Sequence, residues 1–193
     1  MKSALKSGIT GLSLVFAFLP ALLSAFGRIR ILFTIGAQMV AQVPGIPGDY
    51  LRVAYYRMTL RACSLNSRIS FGTFFSNPDA EVAPGVYIGA YSILGRVRIG
   101  EGTQIASHVQ VLSGAHQHAR DSQGRIQGSQ QEAFEVVRIG AGTWIGAGAI
   151  VMASVGDHSI IGAGSIVTKE IPSDVMAMGN PARIRPGEIT PET

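Results

Sequence analysis

The chain has 193 residues, the length of one folded domain with an appendage. Hydrophobic residues make up 47% and charged residues 15%, which excludes a disordered chain or a nucleic-acid-binding tail but not contact with a membrane. The single cysteine, Cys63, excludes an intrachain disulfide, and no CxxC or Cys/His spacing of a structural zinc module is present. We therefore expect no nucleic-acid partner.

Positive charge is concentrated at the N-terminal end. Residues 1–68 carry eight basic residues and one acid, whereas residues 69–193 carry eight basic and eleven acidic residues. The first 68 residues therefore carry +7 and the remainder −3, which together give the net charge of +4. Within them, residues 7–27 form an uncharged, mostly apolar run of 21 residues, long enough to cross a hydrocarbon layer of about 30 Å. A second apolar stretch, residues 31–43, is too short to span.

Four interpretations of this N-terminal segment are open. The first is a secretory signal peptide, although residues 23–25 do not form a good cleavage site. The second is a membrane-spanning helix, which Pro20 would kink. A helical hairpin or in-plane amphipathic segment uses both apolar stretches and holds the nearby cations at the headgroup level. The helices alternatively pack on the domain or on another subunit. We favour the hairpin or in-plane segment and predict that residues 1–48 form a helical unit that associates with a membrane surface through residues 1–45.

Residues 49–68 are predicted to form an amphipathic helix that caps the following domain. Asp49 is suited to be its N-cap, and apolar residues recur at helical spacing from Leu51 to Ala62. The basic residues Arg52, Arg57 and Arg61 lie elsewhere around this helix. Whether they face lipid phosphates or water stays open.

From Val82 onward the sequence repeats with a period of six. Aliphatic residues stand at 82, 88, 94, 99, 105, 111, 139, 145, 151, 161 and 167, usually followed by a small residue. This period predicts a parallel β-helix over residues 69–193, in which three hexads form one coil and coils stack at about 4.8 Å. Because the glycines recur at fixed spacing with no helix after them, they indicate corners and not a dinucleotide-binding loop. Two short spacings, 94 to 99 and 151 to 161, predict cut corners.

The period breaks at residues 112–138, a polar, glutamine-rich insertion. A long loop in a tight repeat is typically functional, and this one begins with His116 and His118. The imidazole pKa, near 6.5 when unperturbed, suits a base that accepts a proton from an alcohol at neutral pH. We therefore predict His116 and His118 as catalytic candidates. His108 and His158 are expected to be ordinary surface residues.

Two segments carry a resemblance to a known family. They are IGEGTQIASHVQVLSGAHQH and RIGAGTWIGAGAIVMASVGDHSIIGAGSIVTKEIPSDVMAMGNPARI. Over about residues 69–186 the chain resembles the hexapeptide-repeat O-acetyltransferases related to the galactoside, maltose and Nod-factor enzymes. The first 65 residues and the SNPDA element at 76–80 resemble the subgroup found with bacterial exopolysaccharide biosynthesis.

The resemblance implies a left-handed β-helix, a homotrimer with active sites between subunits, and acetyl-CoA as donor without a metal. It implies that His116, with His118 in reserve, is the general base that activates a hydroxyl of a saccharide or lipid-linked glycan. Because acetyl-CoA is available in the cytoplasm, we expect the protein at the cytoplasmic face of the bacterial inner membrane. We expect it to be a peripheral or monotopic protein of that membrane.

Further site residues follow from the same resemblance. Trp144 is expected to border the CoA channel, Ala147 and Ala163 to bind the pantetheine arm through their backbone, and Thr168, Lys169 and Arg183 to lie near the nucleotide. Tyr87 and Tyr91 are expected to bind the acceptor, although Gly89 departs from the polar residue that the sugar enzymes have nearby. Physically, a CoA phosphate needs cations, and Lys169, Arg183 and Arg185 are the ones in this part of the repeat.

Two alternatives remain. The first is a zinc enzyme that resembles the γ-type carbonic anhydrases, for which His108, His116 and His118 would have to bind the metal although their spacing does not match. The second is a trimeric membrane scaffold without catalytic activity.

Overall fold

The computed structural model describes residues 2–114, 121–126, 128 and 134–185, and for residues 2–6 the backbone alone. Three helices come first: α1 (Lys2–Leu23), α2 (Arg30–Ala41) and α3 (Gly45–Thr59). Sixteen short strands follow in chain order: β1 (Ala62–Cys63), β2 (Arg68–Ile69), β3 (Phe74–Phe75), β4 (Glu81–Val82), β5 (Tyr87–Ile88), β6 (Ile93–Leu94), β7 (Val97–Ile99), β8 (Gln104–Ile105), β9 (Gln110–Val111), β10 (Val137–Ile139), β11 (Trp144–Ile145), β12 (Ile150–Val151), β13 (Ile160–Ile161), β14 (Ile166–Val167), β15 (Met176–Met178) and β16 (Arg183–Arg185).

The strands form three sheets that are the faces of a prism. Face A has the order β1-β4-β7-β10, face B the order β16-β15-β13-β11-β8-β5-β2, and face C the order β14-β12-β9-β6-β3. Apart from the antiparallel pair of β15 and β16, the pairings are parallel and in register from coil to coil. The predicted parallel β-helix is therefore confirmed, and its left-handed sense stays a prediction.

The core is the column of side chains that the six-residue period predicts. All eleven predicted aliphatic positions, from Val82 to Val167, are buried. The repeat also begins earlier than predicted, because Cys63, Ile69 and Phe75 are buried at the same six-residue spacing and form the first coil. The aliphatic period does not reveal this coil because two of its three inward residues are cysteine and phenylalanine.

The predicted cut corners are present between face C and face A. Val155 forms bridges to Ile139 and Ile171 on face A, so that the chain reaches this face only four residues after Val151. After Leu94, the last residue of β6, only two residues precede β7, which begins at Val97 on face A. The missing residues are therefore removed from the turn and not from a strand.

The start of α3 differs from the prediction. Pro44 occupies the N-cap position without a side-chain hydrogen bond, and the helix begins at Gly45 and not after Asp49. Asp49 does not cap the helix because its carboxylate is bound by Arg52 and Arg68. Arg52, predicted on a basic outer side, is completely buried. The chain leaves the helix at Leu60 and enters face A at Ala62, well before residue 69.

The N-terminal helices cover the first coil. α1 packs on α3, and α2 packs on α3 and on β3. Among the helices that the structure describes, none combines the length and the apolar character needed to cross a membrane.

Candidate active site

The 112–138 insertion leaves the β-helix at the edge between faces C and A, where its two ends are held together. The Glu135 N–H donates to the Ser113 carbonyl at 3.0 Å. The Ser113 hydroxyl accepts from the Arg96 N–H at 2.8 Å, and the Arg96 guanidinium donates to the Phe134 carbonyl at 3.0 Å. These bonds form a closed neck at the root of the insertion. His116 and His118 lie beyond it, outside the described residues.

Gly114, the last described residue before the two histidines, has a conformation that requires glycine. Its φ is +91°, a region that residues with a Cβ rarely enter. A Cβ there would also lie 2.9 Å from the Glu135 side chain. A side chain at position 114 is therefore excluded both by the backbone conformation and by Glu135.

Part of the insertion is a small turn closed by Asp121. The Asp121 carboxylate accepts hydrogen bonds from the Gln123 and Arg125 N–H groups and from the Arg125 guanidinium at 2.8 Å. The backbone hydrogen bond from Arg125, followed by that from its side chain, lowers the pKa of Asp121. This carboxylate is therefore ionised and engaged within its own turn.

Trp144 lies on the outside of face B, where 53% of it is exposed. In register it is followed by Ile160, Met176 and Arg185 on the next three strands. At about 4.8 Å per strand, Arg185 lies roughly 14 Å from Trp144 along one outward column. Arg183 is exposed on the same last strand. An aromatic side chain and two cations thus share this face.

Ala147 and Ala163 lie one above the other at the edge between faces B and C, and both are exposed. The Gly164 N–H donates to the Ala147 carbonyl at 2.8 Å. The backbone of Ala163, in contrast, makes no hydrogen bond to another residue in the described parts of the chain. Of the two, Ala163 has both backbone groups available to a ligand.

Thr168 and Lys169 are exposed at the opposite edge of face C. They follow Val167, the last residue of β14, whereas Ala163 comes before that strand. Face C therefore lies between them and Ala163. A single subunit brings Trp144, Ala147, Ala163 and Arg183 to face B and its edge, but it does not bring Thr168 and Lys169 there.

The two tyrosines predicted for the acceptor have different surroundings. Tyr87 is half-buried on β5, where its hydroxyl accepts from Ser70 Oγ at 3.4 Å and the Arg68 guanidinium lies 5.8 Å from its ring centre. It lines a cavity of 530 Å³ between α3 and face B. Tyr91 lies on the edge between faces B and C, where 51% of it is exposed and its ring stacks on His108.

His108 is exposed, as predicted, and has an unusual backbone conformation. Its φ of +60° places it in a left-handed turn, in register with glycines of other coils. The signal in the sequence is that a histidine stands where Gly148 and Gly164 stand in their hexads. Within the described parts of the chain, no group of three His, Cys, Asp or Glu side chains is placed to hold a metal.

Comparison with known proteins identifies similar acetyltransferases. No family model matches the chain. Serine acetyltransferase of Buchnera aphidicola (subsp. Acyrthosiphon pisum) is 36% identical over 125 residues, which are 62% of this chain and 41% of that protein. Galactoside O-acetyltransferase of Escherichia coli (strain K12) is 48% identical over 50 residues, 25% of each protein. The chain thus spans less than half the length of these curated relatives.

A solved structure of similar fold is a maltose O-acetyltransferase from Clostridium difficile 630. The two structures superpose with a TM-score of 0.59 at 22% sequence identity, over 86% of this chain and 89% of that one. Together with the two relatives, this likeness confirms the resemblance to the hexapeptide-repeat acetyltransferases.

Proposed function

We propose that the chain is a CoA-dependent O-acetyltransferase that acetylates a hydroxyl of a saccharide or lipid-linked glycan. The observation that carries the proposal is the closed neck at residues 113–114 and 134–135 of a β-helix similar to acetyltransferases, at the root of the insertion whose sequence contains His116 and His118. His116 is the proposed base, and His118 is the reserve.

The chemistry needs no covalent enzyme intermediate. The imidazole takes the proton of the acceptor hydroxyl while the hydroxyl oxygen attacks the thioester carbonyl of acetyl-CoA. The tetrahedral oxyanion, stabilised by N–H donors, collapses with cleavage of the C–S bond. The CoA sulfur leaves as the thiolate and takes the proton back from the imidazolium, so the products are the acetyl ester and CoA.

The exposed cations support binding of acetyl-CoA. Arg185 lies on face B in line with Trp144, and Arg183 is exposed on the same strand, where both cations are accessible to a phosphate. Thr168 and Lys169 lie on another edge of the prism. We therefore propose a homotrimer in which one subunit supplies Trp144 and Ala163 and its neighbour supplies Lys169, because one chain alone does not bring these groups to one channel.

The packing of α1 supports attachment to a membrane surface. This helix buries Ser13, Ala17 and Ala21 against the protein. The large apolar side chains that it exposes are Leu12, Val15, Phe16, Phe18, Leu19, Leu22 and Leu23. In water the large apolar side chains of an amphipathic helix face inward, whereas in lipid small residues form the contacts between helices.

Helix α2 continues this apolar surface with Ile31, Ile35 and Met39, and Arg28 is exposed in the connection between the two helices. We propose that this surface lies in the headgroup region of the bacterial inner membrane, on its cytoplasmic side. A lipid-linked acceptor would then be presented at the membrane to which the enzyme is attached.

The test is acceptor-dependent release of CoA from acetyl-CoA, with maltose, methyl β-galactoside and a cell-envelope oligosaccharide fraction as acceptors. The proposal predicts equal amounts of CoA and of a base-labile acetyl ester on the acceptor. A His158→Gly variant, changed at an exposed histidine on the edge between faces A and B, should keep this activity. Absence of CoA release and of acetylated product with every acceptor refutes the proposed function.

A further inference from the structure

The turns between faces B and C share one left-handed backbone position. Gly72, Gly148 and Gly164 occupy it in three coils, with φ of +74°, +70° and +67°. Tyr91 and His108 occupy it in the two coils between Gly72 and Gly148, with φ of +58° and +60°. Glycine adopts this conformation without steric cost, whereas a residue with a Cβ is strained there. Two neighbouring coils therefore carry aromatic side chains where the fold favours glycine.

The two side chains form a flat aromatic surface. The rings of Tyr91 and His108 stack with centres 5.3 Å apart and planes at 16°, and Phe71 meets the Tyr91 ring edge-on at 5.5 Å. Both Tyr91 and His108 are exposed. Beyond His108 the column is open, because no atom lies within 4 Å of where a Cβ of Gly148 or Gly164 would be. A planar ligand thus has access to the stack.

The polar groups near this surface suit a sugar ring. Gln110 follows His108 by two residues and is exposed on face C. Its amide makes no hydrogen bond to another side chain or backbone group in the described ranges. A pyranose combines an apolar C–H face, which packs on aromatic rings, with hydroxyls that an amide binds through both its donors and its acceptor.

The charges near this surface disfavour a nucleotide. The turns at residues 70–72, 89–91, 106–108 and 147–149 contain no lysine or arginine. A phosphate needs cations, and the cations proposed for CoA lie at the C-terminal end of the prism. The aromatic surface is therefore separate along the prism axis from the cations proposed for CoA, whereas Ala147, proposed for the pantetheine arm, lies in the coil next to His108.

We propose that Tyr91 and His108, supported by Phe71, form a stacking site for a pyranose ring of the acceptor. The inference rests on the proposed function and extends it to a subsite. His108 lies three residues before Val111, after which the insertion begins, and this distance is about 10 Å along the strand. A glycan stacked on His108 therefore extends across face C toward the neck of the insertion.

The test uses Tyr91→Asn and His108→Asn, because asparagine tolerates the left-handed conformation but removes the ring. We expect the KM for the acceptor to rise about 2- to 12-fold, the range given by an aromatic contact. The KM for acetyl-CoA should stay unchanged, and the melting temperature should not fall. Matched controls are His158→Gly and Asp174→Gly, which relieve φ values of +54° and +60° in the turn between faces A and B. They should leave both KM values unchanged.

A binding measurement separates this site from the proposed activity. In protein with ¹³C-labelled histidine, the Cε1–H signal of His108 is identified by its loss in His108→Asn. We expect maltose or methyl β-galactoside to shift it, and glycerol and adenosine 3′,5′-bisphosphate not to. A pyranoside-induced shift without CoA release would contradict the proposed function alone.

Three results overturn the stacking site. The first is CoA release with no pyranoside-induced shift of the His108 signal. The second is a shift caused by the bisphosphate, which would assign the rings to CoA. The third is a change in molecular mass by light scattering in Tyr91→Asn or His108→Asn, which would make the rings a contact between subunits.

Discussion

Asp49 and Arg52 form an ion pair at 2.6 Å, in which the Arg52 side chain is completely buried and that of Asp49 is 14% exposed. The same guanidinium donates to the carbonyls of Val43, between α2 and α3, and of Ile69 on β2. Burial lowers the pKa of Arg52, and the hydrogen bond from Arg52 to Asp49 acts in the opposite direction. One side chain therefore joins two helices to the first coil of the β-helix.

Arg52→Ala should lower the free energy of unfolding by about 3–5 kcal/mol, because it leaves buried carbonyls and the Asp49 carboxylate without their partner. Arg68→Ala is the matched control, since the exposed Arg68 binds the other oxygen of Asp49 at 2.8 Å. It should cost less than about 1 kcal/mol. Urea unfolding measures both. Equal losses of the free energy of unfolding in the two variants would mean that the buried contacts of Arg52 do not stabilise the packing of α2 and α3 on the first coil.

The buried thiol of Cys63 predicts loss of stability in alkaline solution. Burial raises its pKa to about 11 from an ordinary value near 9. The folded protein therefore keeps the proton to higher pH than the unfolded chain, so stability is complete below pH 9 and falls as the pH rises toward 11. We expect about 1 kcal/mol of this loss between pH 8 and pH 10, measured by urea unfolding. Cys63→Ala should remove that part of the dependence; an unchanged slope would contradict the assignment.

Two glycines of one turn should differ in their tolerance of a side chain. A Cβ on Gly100 would lie 2.5 Å from the Ala141 nitrogen of the next coil, whereas Gly102, with φ of +69°, has no atom within 4 Å of its Cβ position. Gly100→Ala should therefore cost about 3 kcal/mol, because stacked backbones cannot yield. Gly102→Ala should cost about 1 kcal/mol from its conformation alone. Thermal unfolding of the two variants shows which one loses more stability. A larger loss in Gly102→Ala than in Gly100→Ala would exclude close stacking of the backbones at this corner.

The outward apolar face of α1 predicts binding to lipid vesicles. The protein should float with vesicles that contain phosphatidylglycerol, and Val15→Glu/Leu19→Glu should weaken this binding at least about tenfold, because two large apolar side chains are lost from the lipid contact. Gln38→Glu, an exposed polar position on α2, is the control for added negative charge. If the wild-type protein stays unbound and forms a larger assembly that the double variant disrupts, the face is a contact between copies of the chain.

Much of the fold could be predicted because a single inward position in each hexad indicates where that hexad lies in the β-helix. Each coil needs one inward aliphatic residue per face, so the period from Val82 onward indicates the faces directly. The first coil was missed because Cys63 and Phe75 fill the same inward positions without being aliphatic. Arg52 was misplaced because helical periodicity marks charged residues as exposed, whereas five hydrogen-bond partners, four of them backbone carbonyls, satisfy this one inside.

The arrangement of the candidate site was harder to predict from the sequence. Whether residues of different hexads lie close together depends on the number of residues in each corner. Trp144 and Lys169 are 25 positions apart, and nothing in the period states that they lie on different sides of the prism. The role proposed for His108 depends on a left-handed φ and on the ring of Tyr91 in the preceding coil. Neither is a property of its own hexad.

The central claim is the proposal that His116 acts as the general base, and the kcat/KM of His116→Ala for the acceptor tests it most directly. The loss of a general base predicts a decrease of about 10²- to 10⁴-fold, with an unchanged dissociation constant for CoA. The wild-type value should rise with pH as the imidazole loses its proton, and the residual activity of the variant should not. If His116→Ala retains wild-type kcat/KM and the same pH profile, the assignment of the base is wrong.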